Sequence, residues 1–151
     1  MAETLGSLID KLTIKNIRSA FLKSGRYEVE KRGEKIRIIE GQRKDLIDEI
    51  DRFLYHAVRG EIRLKDLKIK LYNKPVKYGG TVEKLGSLAD KLARKNMELW
   101  ALEDEVRRSD VSDAVIVRTK RAIDLANQER NDLIDGIDTL LEKTVKKKRT
   151  K

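Results

Sequence analysis

Two arginines lie where the sequence predicts the buried faces of helices. Arg43 sits in the middle of one apolar stripe with helical spacing, and Arg130 sits in the middle of another. A guanidinium on a core face is costly unless it is paired and hydrogen-bonded, so each arginine needs an anion or an opening to water. Asn16 and Asn96 interrupt two further stripes in the same way. Counting from the expected hairpin tips places Asn16 level with Arg43, and Asn96 roughly level with Arg130.

Two interpretations of these polar pairs stay open. Asp10 and Asp90 lie one to two turns from the asparagines and could pair with the arginines to fix helix register. Alternatively, a ligand supplies the anion, because the guanidinium fork suits phosphate or carboxylate and asparagine adds amide donors. Both interpretations hold together if Asp10 orients Arg43 and a bound ligand completes the site.

Serine in the first turn of two expected helices extends the anion hypothesis. Ser7 and Ser87 each follow a glycine at a helix start, where free backbone N–H groups favour anions. The same residues also fit a simpler role, in which serine satisfies the helix start and glycine permits close packing.

Evidence for metal chemistry is weak. Acidic residues spaced by three are expected on outward faces of two helices, and they are Asp45, Asp48 and Asp51, then Asp132, Asp135 and Asp138. Such carboxylates usually serve solubility or pair with lysines. His56 is the single histidine, and cysteine is absent, so His-based and thiol-based sites are not expected. We assign no metal ligand, no cofactor and no catalytic residue.

An internal repeat predicts the elements that position these residues. Residues 3–12 return as 83–92 at an offset of 80, and residues 43–51 return as 130–138 at an offset of 87. The seven additional residues fall near the second hairpin tip and add about one turn to each arm. The sequence therefore predicts an all-α protein in which two tandem antiparallel helical hairpins form a four-helix bundle.

The expected boundaries follow from composition. Hairpins span 1–58 and 81–142, and 59–80 forms an irregular crossover that contains the only proline, a Gly-Gly pair and at most a short helix near 65–71. Residues 143–151 carry six of the lysines and arginines and no acid, which leaves +3 of the +9 net charge for the rest. We expect this basic tail to be disordered.

The chain resembles a bacterial and viral family of unknown function, DUF4254. The resemblance lies in residues 6–12 (GSLIDKL) and 43–47 (RKDLI), in their repeats at 86 and 130, and in the crossover segment 70–75 (KLYNKP). It implies an all-helical fold and no established activity. It also draws attention to Lys70, Tyr72 and Asn73, because irregular segments often carry ligand-contacting polar groups. A turn fixed by asparagine and proline explains the same residues.

These features predict a non-catalytic binding protein that captures a small anionic ligand. The expected ligand is a phosphorylated nucleotide, and for a signalling nucleotide capture alone is a function, as in viral sequestration of an immune messenger. One alternative is a metal-dependent enzyme on a phosphorylated or glycosyl substrate. Another is a nucleic-acid or protein-interaction module that uses the basic tail, which is not favoured. We expect a homo-oligomer, no membrane partner and a cytoplasmic location.

Overall fold

The computed structural model describes residues 3–65 and 84–149, which form four helices. They are α1 (Leu5–Ser24), α2 (Arg32–Arg59), α3 (Leu85–Val106) and α4 (Asp113–Arg149). No strand occurs within these ranges. The predicted all-α fold class is confirmed, and the packing of the helices is that of a bundle.

Local signals set the ends of the first hairpin. Thr4 and Ser7 form a capping box at the start of α1, in which each backbone N–H donates to the other side chain, at 2.9 Å and 3.3 Å. Helix α1 ends at Gly25 and α2 ends at Gly60, both in the left-handed conformation that glycine adopts without strain.

Helix α1 is the centre of the packing. It contacts α2, α3 and α4, while α3 packs along α4. The core joins apolar residues of all four helices, and its buried members are Leu5, Leu8, Phe53, Ala57, Leu88, Leu92, Leu133, Ile134, Ile137, Leu141 and Val145. Burial of this apolar surface is the main force that holds the hairpins together.

Helix α2 lies at the edge of the bundle. Phe53 and Ala57 are its only buried residues, although α2 is 28 residues long. Ile38, Ile47 and Val58 expose about half or more of their side chains. Leu46, Ile50 and Leu54 pack against the core while partly buried. The uncovered apolar surface of α2 is therefore limited to exposed side chains such as Ile38, Ile47 and Val58.

Helix α4 continues to Arg149, into the segment from residue 143 for which the sequence predicts a disordered tail. Val145 is buried there, and Lys146 pairs with Glu142 one turn earlier. One expectation about exposure was wrong: Asp132 and Asp138 were expected to face outward, but both are buried, and the start of α1 lies against Asp138, whose carboxylate accepts from the Gly6 N–H. Residues 66–83, which include most of the crossover and the first three residues of the second predicted hairpin, lie outside the described residues.

None of the described helices is long and apolar enough to cross a membrane.

Candidate functional site

Asn16 and Arg43 meet, as counting from the hairpin tips predicted. Arg43 Nε donates to Asn16 Oδ1 at 2.6 Å, and its Nη1 donates to Glu40 Oε2 at 2.5 Å. Asn16 itself is exposed. The anionic partner of Arg43 is thus Glu40 from its own helix, and not Asp10.

Glu40 is the hub of a surface network between α1 and α2. Its carboxylate accepts hydrogen bonds from Lys23 Nζ at 2.7 Å and Ser19 Oγ at 2.6 Å, besides the one from Arg43. The bonds from Lys23 and Ser19, with the charge of Arg43, lower the pKa of Glu40 to about 2. The network leaves Arg43 with a satisfied charge.

Asn96 occupies a different environment from its repeat counterpart. It is only 4% exposed, and its amide donates to Asp10 Oδ1 at 2.9 Å and to Thr13 Oγ1 at 2.6 Å. Asp10 is also buried, and its Oδ1 lies 4.0 Å from Arg130 Nε. Asp90, the counterpart of Asp10, is exposed and pairs with Arg94 instead.

Arg130 carries a buried hydrogen-bond donor without an acceptor. Its Nε is shielded from solvent and makes no hydrogen bond within the described residues, since the distance of 4.0 Å to Asp10 is too long for one. A buried donor left unpaired destabilises a fold, and a charged one does so more strongly. This guanidinium therefore retains capacity to bind an anion.

Arg130 lines a polar cleft between α1, α3 and α4. The cleft has a volume of about 230 Å³, and its walls are Ile14, Arg18, Asn96, Leu99, Trp100, Glu103, Arg107, Asn127 and Arg130. Three guanidinium groups and two side-chain amides face one acid, Glu103, across this space. Arg107 lies within ion-pair range of Glu103 and Asp104, at 3.8 Å and 3.6 Å. We call this space the arginine cleft.

An apolar groove adjoins the arginine cleft at Trp100. The groove has a volume of about 410 Å³ and is lined by Thr13, Asn16, Ile17, Ala20, Ala93, Met97 and Trp100. Trp100 belongs to both linings, so the charged cleft and the apolar groove meet at this residue. Such a pairing suits a ligand that carries both an anionic group and a planar apolar part.

The two candidate serines lie apart from the cleft. Ser7 is engaged in the capping box and also donates to Glu3, at 2.8 Å, which is the simpler of its two predicted roles. Ser87 is exposed at the start of α3. Lys70, Tyr72 and Asn73 lie outside the described residues.

The carboxylates of the metal-enzyme alternative are Asp10, Asp48 and their repeats Asp90 and Asp135. Asp48 on α2 and Asp90 on α3 are exposed, Asp135 on α4 is partly buried and Asp10 on α1 is buried. Over residues 3–65 and 84–149, no three His, Asp or Glu side chains are placed to hold one metal ion. His56 lies 2.6 Å from Glu61 at the end of α2.

Arg18, Arg107, Trp100 and Asn127 are cleft residues that the sequence did not identify as candidates. Arg18 is two positions from Asn16, and Arg107 directly follows α3. Neither breaks an apolar stripe, which was the signal used to find Arg43 and Arg130. Only the packing of α1 against α3 and α4 brings them together.

The fold and the cleft define an all-helical bundle with a basic, partly buried pocket. Residues 87–151 match the family described as protein of unknown function (DUF4254). This match confirms the resemblance to DUF4254 for the second hairpin and the segment after it. No curated protein and no solved structure matches the chain.

Proposed function

We propose that the protein is a non-catalytic binding protein that captures a small phosphorylated ligand in the arginine cleft. The observation that carries this proposal is the buried Arg130 Nε, which has no hydrogen-bond acceptor among the described residues. Phosphate oxygens are strong acceptors for a guanidinium fork. A phosphate at the outer edge of this guanidinium would accept from its Nη groups and balance the charge that Asp10, 4.0 Å from Nε, only partly offsets.

The surroundings of Arg130 support a phosphate over a metal or a cationic ligand. Arg18 and Arg107 add two positive charges on the other walls, and the amides of Asn96 and Asn127 add polar atoms. The Asn96 amide already donates to Asp10 and Thr13, so it fixes the position of Asp10 behind Arg130. Asp10 thereby orients the guanidinium, and the ligand meets its outer edge.

Trp100 supports a ligand with a base or another planar group. It forms the border between the arginine cleft and the apolar groove, where Ala93 and Met97 continue the apolar surface. A nucleotide whose phosphate lies at Arg130 reaches this border with its base, and stacking on an aromatic ring stabilises a base by about 1–3 kcal/mol. We therefore propose nucleotides as the ligand class, with signalling nucleotides included.

Capture alone accounts for a function without catalysis. In a cell that uses a nucleotide messenger, a protein that holds it tightly lowers its free concentration, and viral sequestration of an immune messenger is the form of this proposal suggested by the sequence. We also propose that the protein acts as a homo-oligomer in the cytoplasm.

A thermal-shift screen tests the proposal. The probes are nucleoside phosphates, cyclic dinucleotides, ADP-ribose and sugar phosphates, applied to the wild type and to Arg130→Met, which keeps an unbranched apolar stem and removes the guanidinium and its charge. A ligand at about 100 times its Kd stabilises the fold by about 2.7 kcal/mol, which the screen resolves as a rise in Tm. The expected result is a rise for the wild type and none for Arg130→Met.

Two matched variants make the screen specific. Arg121→Met removes an exposed charge from the same helix, outside the cleft, and should respond to ligand as the wild type does. Arg43→Met removes the repeat counterpart, whose guanidinium already bonds to Asn16 and Glu40. If Arg43→Met abolishes the shift and Arg130→Met does not, the ligand binds beside Asn16. No shift with any probe contradicts the proposal.

A further inference from the structure

The start of α1 packs on α4 through a close contact between backbones. Gly6 is buried, and its N–H donates to Asp138 Oδ1 at 2.7 Å. A Cβ atom added at Gly6 would lie only 2.5 Å from the carbonyl oxygen of Ile134. Leu5 beside it is 1% exposed, and Ile134 is 6% exposed. The contact thus consists of Gly6, the buried aliphatic residues Leu5 and Ile134, and the Asp138 carboxylate, which accepts a hydrogen bond from the first turn of α1.

The sequence repeat provides a second copy of each of these residues. The offset of 80 relates Leu5 and Gly6 to Leu85 and Gly86, and the offset of 87 relates Ile134 and Asp138 to Ile47 and Asp51. All four counterparts are exposed, with Leu85 at 36% and Ile47 at 45%. A Cβ at Gly86 meets no atom within 4 Å. The sequence therefore contains these four residue types twice, but within one chain only the copy on α1 and α4 forms the contact.

The same contrast extends further along the two helices. Val145 on α4 is 7% exposed, whereas its counterpart Val58 on α2 is 66% exposed. Helices α2 and α3 do not pack along each other in the described part of the chain, although α1 packs on α4. The surface of α2 that corresponds to the α1-binding surface of α4 is therefore uncovered.

Both uncovered surfaces border one open face of the bundle. Asn16 lies exposed on this face, bonded to Arg43 of α2 on one side. On its other side, Asn16 shares the apolar groove with Ala93 and Met97 of α3. One approaching molecule can therefore reach α2 and α3 together.

We propose that a second copy of this chain covers that face. The start of α3 of one copy lies on α2 of the other, with Gly86 against Ile47 and its N–H directed at Asp51, and a two-fold axis repeats the contact in the reverse direction. A second copy is the occupant because the chain itself carries both halves of the contact. The contact between α1 and α4 shows that residues of these types fit each other.

Gly86→Ala is the sharpest test of this dimer. In a single copy the added methyl group meets nothing within 4 Å among the described residues, so the fold has room for it. In the dimer it would meet a carbonyl oxygen of α2, as the equivalent atom at Gly6 would meet Ile134. Sedimentation over about a hundredfold range of concentration should show a dimer for the wild type, and for Gly86→Ala a Kd at least about tenfold higher.

Gly41→Ala is the matched control, since Gly41 also has nothing within 4 Å and lies on another side of α2. It should dimerise as the wild type does. Circular dichroism should show equal helix content for both variants, which separates loss of the dimer from unfolding. A wild type that is monomeric at every concentration overturns the proposal, and so does a Gly86→Ala variant that dimerises with unchanged Kd.

A second pair of variants addresses the carboxylate. Asp51→Ala removes the proposed acceptor for the Gly86 N–H and should weaken the dimer, whereas Asp45→Ala removes an equally exposed acid from another side of α2 and should not. Equal effects of the two substitutions would point to net charge alone and contradict the contact. None of these variants alters a residue that lines the arginine cleft or the apolar groove, and sedimentation without nucleotide measures dimerisation whether or not a ligand binds.

Discussion

Replacing Gly6 with alanine measures how closely α1 packs on α4. The new methyl group would lie 2.5 Å from the Ile134 carbonyl oxygen and 3.0 Å from Asp138 Oδ1. Ile134 O belongs to the backbone of α4, so it cannot rotate away as a side chain does. We expect α1 to shift outward and the Gly6 N–H bond to Asp138, now 2.7 Å, to lengthen.

The magnitude follows from two opposing effects. Overpacking of a well-packed interior costs about 1–3 kcal/mol, and alanine is favoured over glycine within a helix by about 0.5–1 kcal/mol. The net loss is at most about 2.5 kcal/mol, with a middle value of about 1 kcal/mol. A chain of this size loses roughly 2–4 °C of Tm per kcal/mol, so Gly6→Ala should melt about 2–4 °C below the wild type at the middle value and at most about 10 °C below it.

Urea and thermal denaturation followed by circular dichroism test this value. Gly41→Ala, the same substitution in open space on α2, should raise the stability by about 0.5–1 kcal/mol. The argument for close packing is refuted if Gly6→Ala gains stability as Gly41→Ala does. Such a result would mean that α1 and α4 have room for a side chain at this contact.

Further predictions concern the polar contacts and the tail. In urea denaturation, Asn96→Leu should lower the free energy of unfolding by about 1–3 kcal/mol, because Asp10 and Thr13 lose a buried hydrogen-bond donor. Asn16→Leu changes an exposed position and should lower it by less than about 1 kcal/mol. The lowered pKa of Glu40 means that its ionised form stabilises the fold, so this contribution is complete above about pH 4.5 and disappears as the pH falls toward about 2. In a pH series of melting curves, Glu40→Gln should therefore melt below the wild type near pH 7 and together with it near pH 2, and a constant difference would contradict the network. Truncation after Val145 removes the positive charges of the last six residues but keeps that buried side chain, so nucleotide affinity should be unchanged in a titration. A large loss of affinity on truncation would favour the nucleic-acid or tail-binding alternative.

The sequence predicts the helices because the signals that form them are local. Apolar spacing marks the faces of the helices, and Gly25 and Gly60 stand where α1 and α2 end. The contact of Asn16 with Arg43 is also predictable, since both lie within one hairpin at equal distances from its tip. Register inside a hairpin is set by loop length, which the sequence displays.

The arrangement of the two hairpins is not predictable in this way. Asn16 and Asn96 occupy equivalent positions in the repeat, yet one is exposed and the other is buried beside Asp10. The difference arises because α1 packs against three helices and α2 packs mainly against one. A repeat in sequence carries no information on such an asymmetry.

The same reason explains the errors at Asp138 and in the arginine cleft. Asp138 was taken for an outward acid because its phase on α4 alone suggests a solvated face, but the start of α1 covers it. Arg18 and Arg107 come from different hairpins and become neighbours only when those hairpins dock. Contacts between distant segments depend on tertiary packing, which the helical period does not encode.

The central claim is that Arg130 binds the phosphate of a captured nucleotide. Its most direct test is calorimetric titration of the best probe from the thermal-shift screen into the wild type, Arg130→Met and Arg121→Met. A charge-assisted hydrogen-bond pair of about 1.5–3 kcal/mol corresponds to a Kd that rises roughly 10- to 100-fold in Arg130→Met, with Arg121→Met unchanged. Equal affinities for all three proteins would contradict the claim.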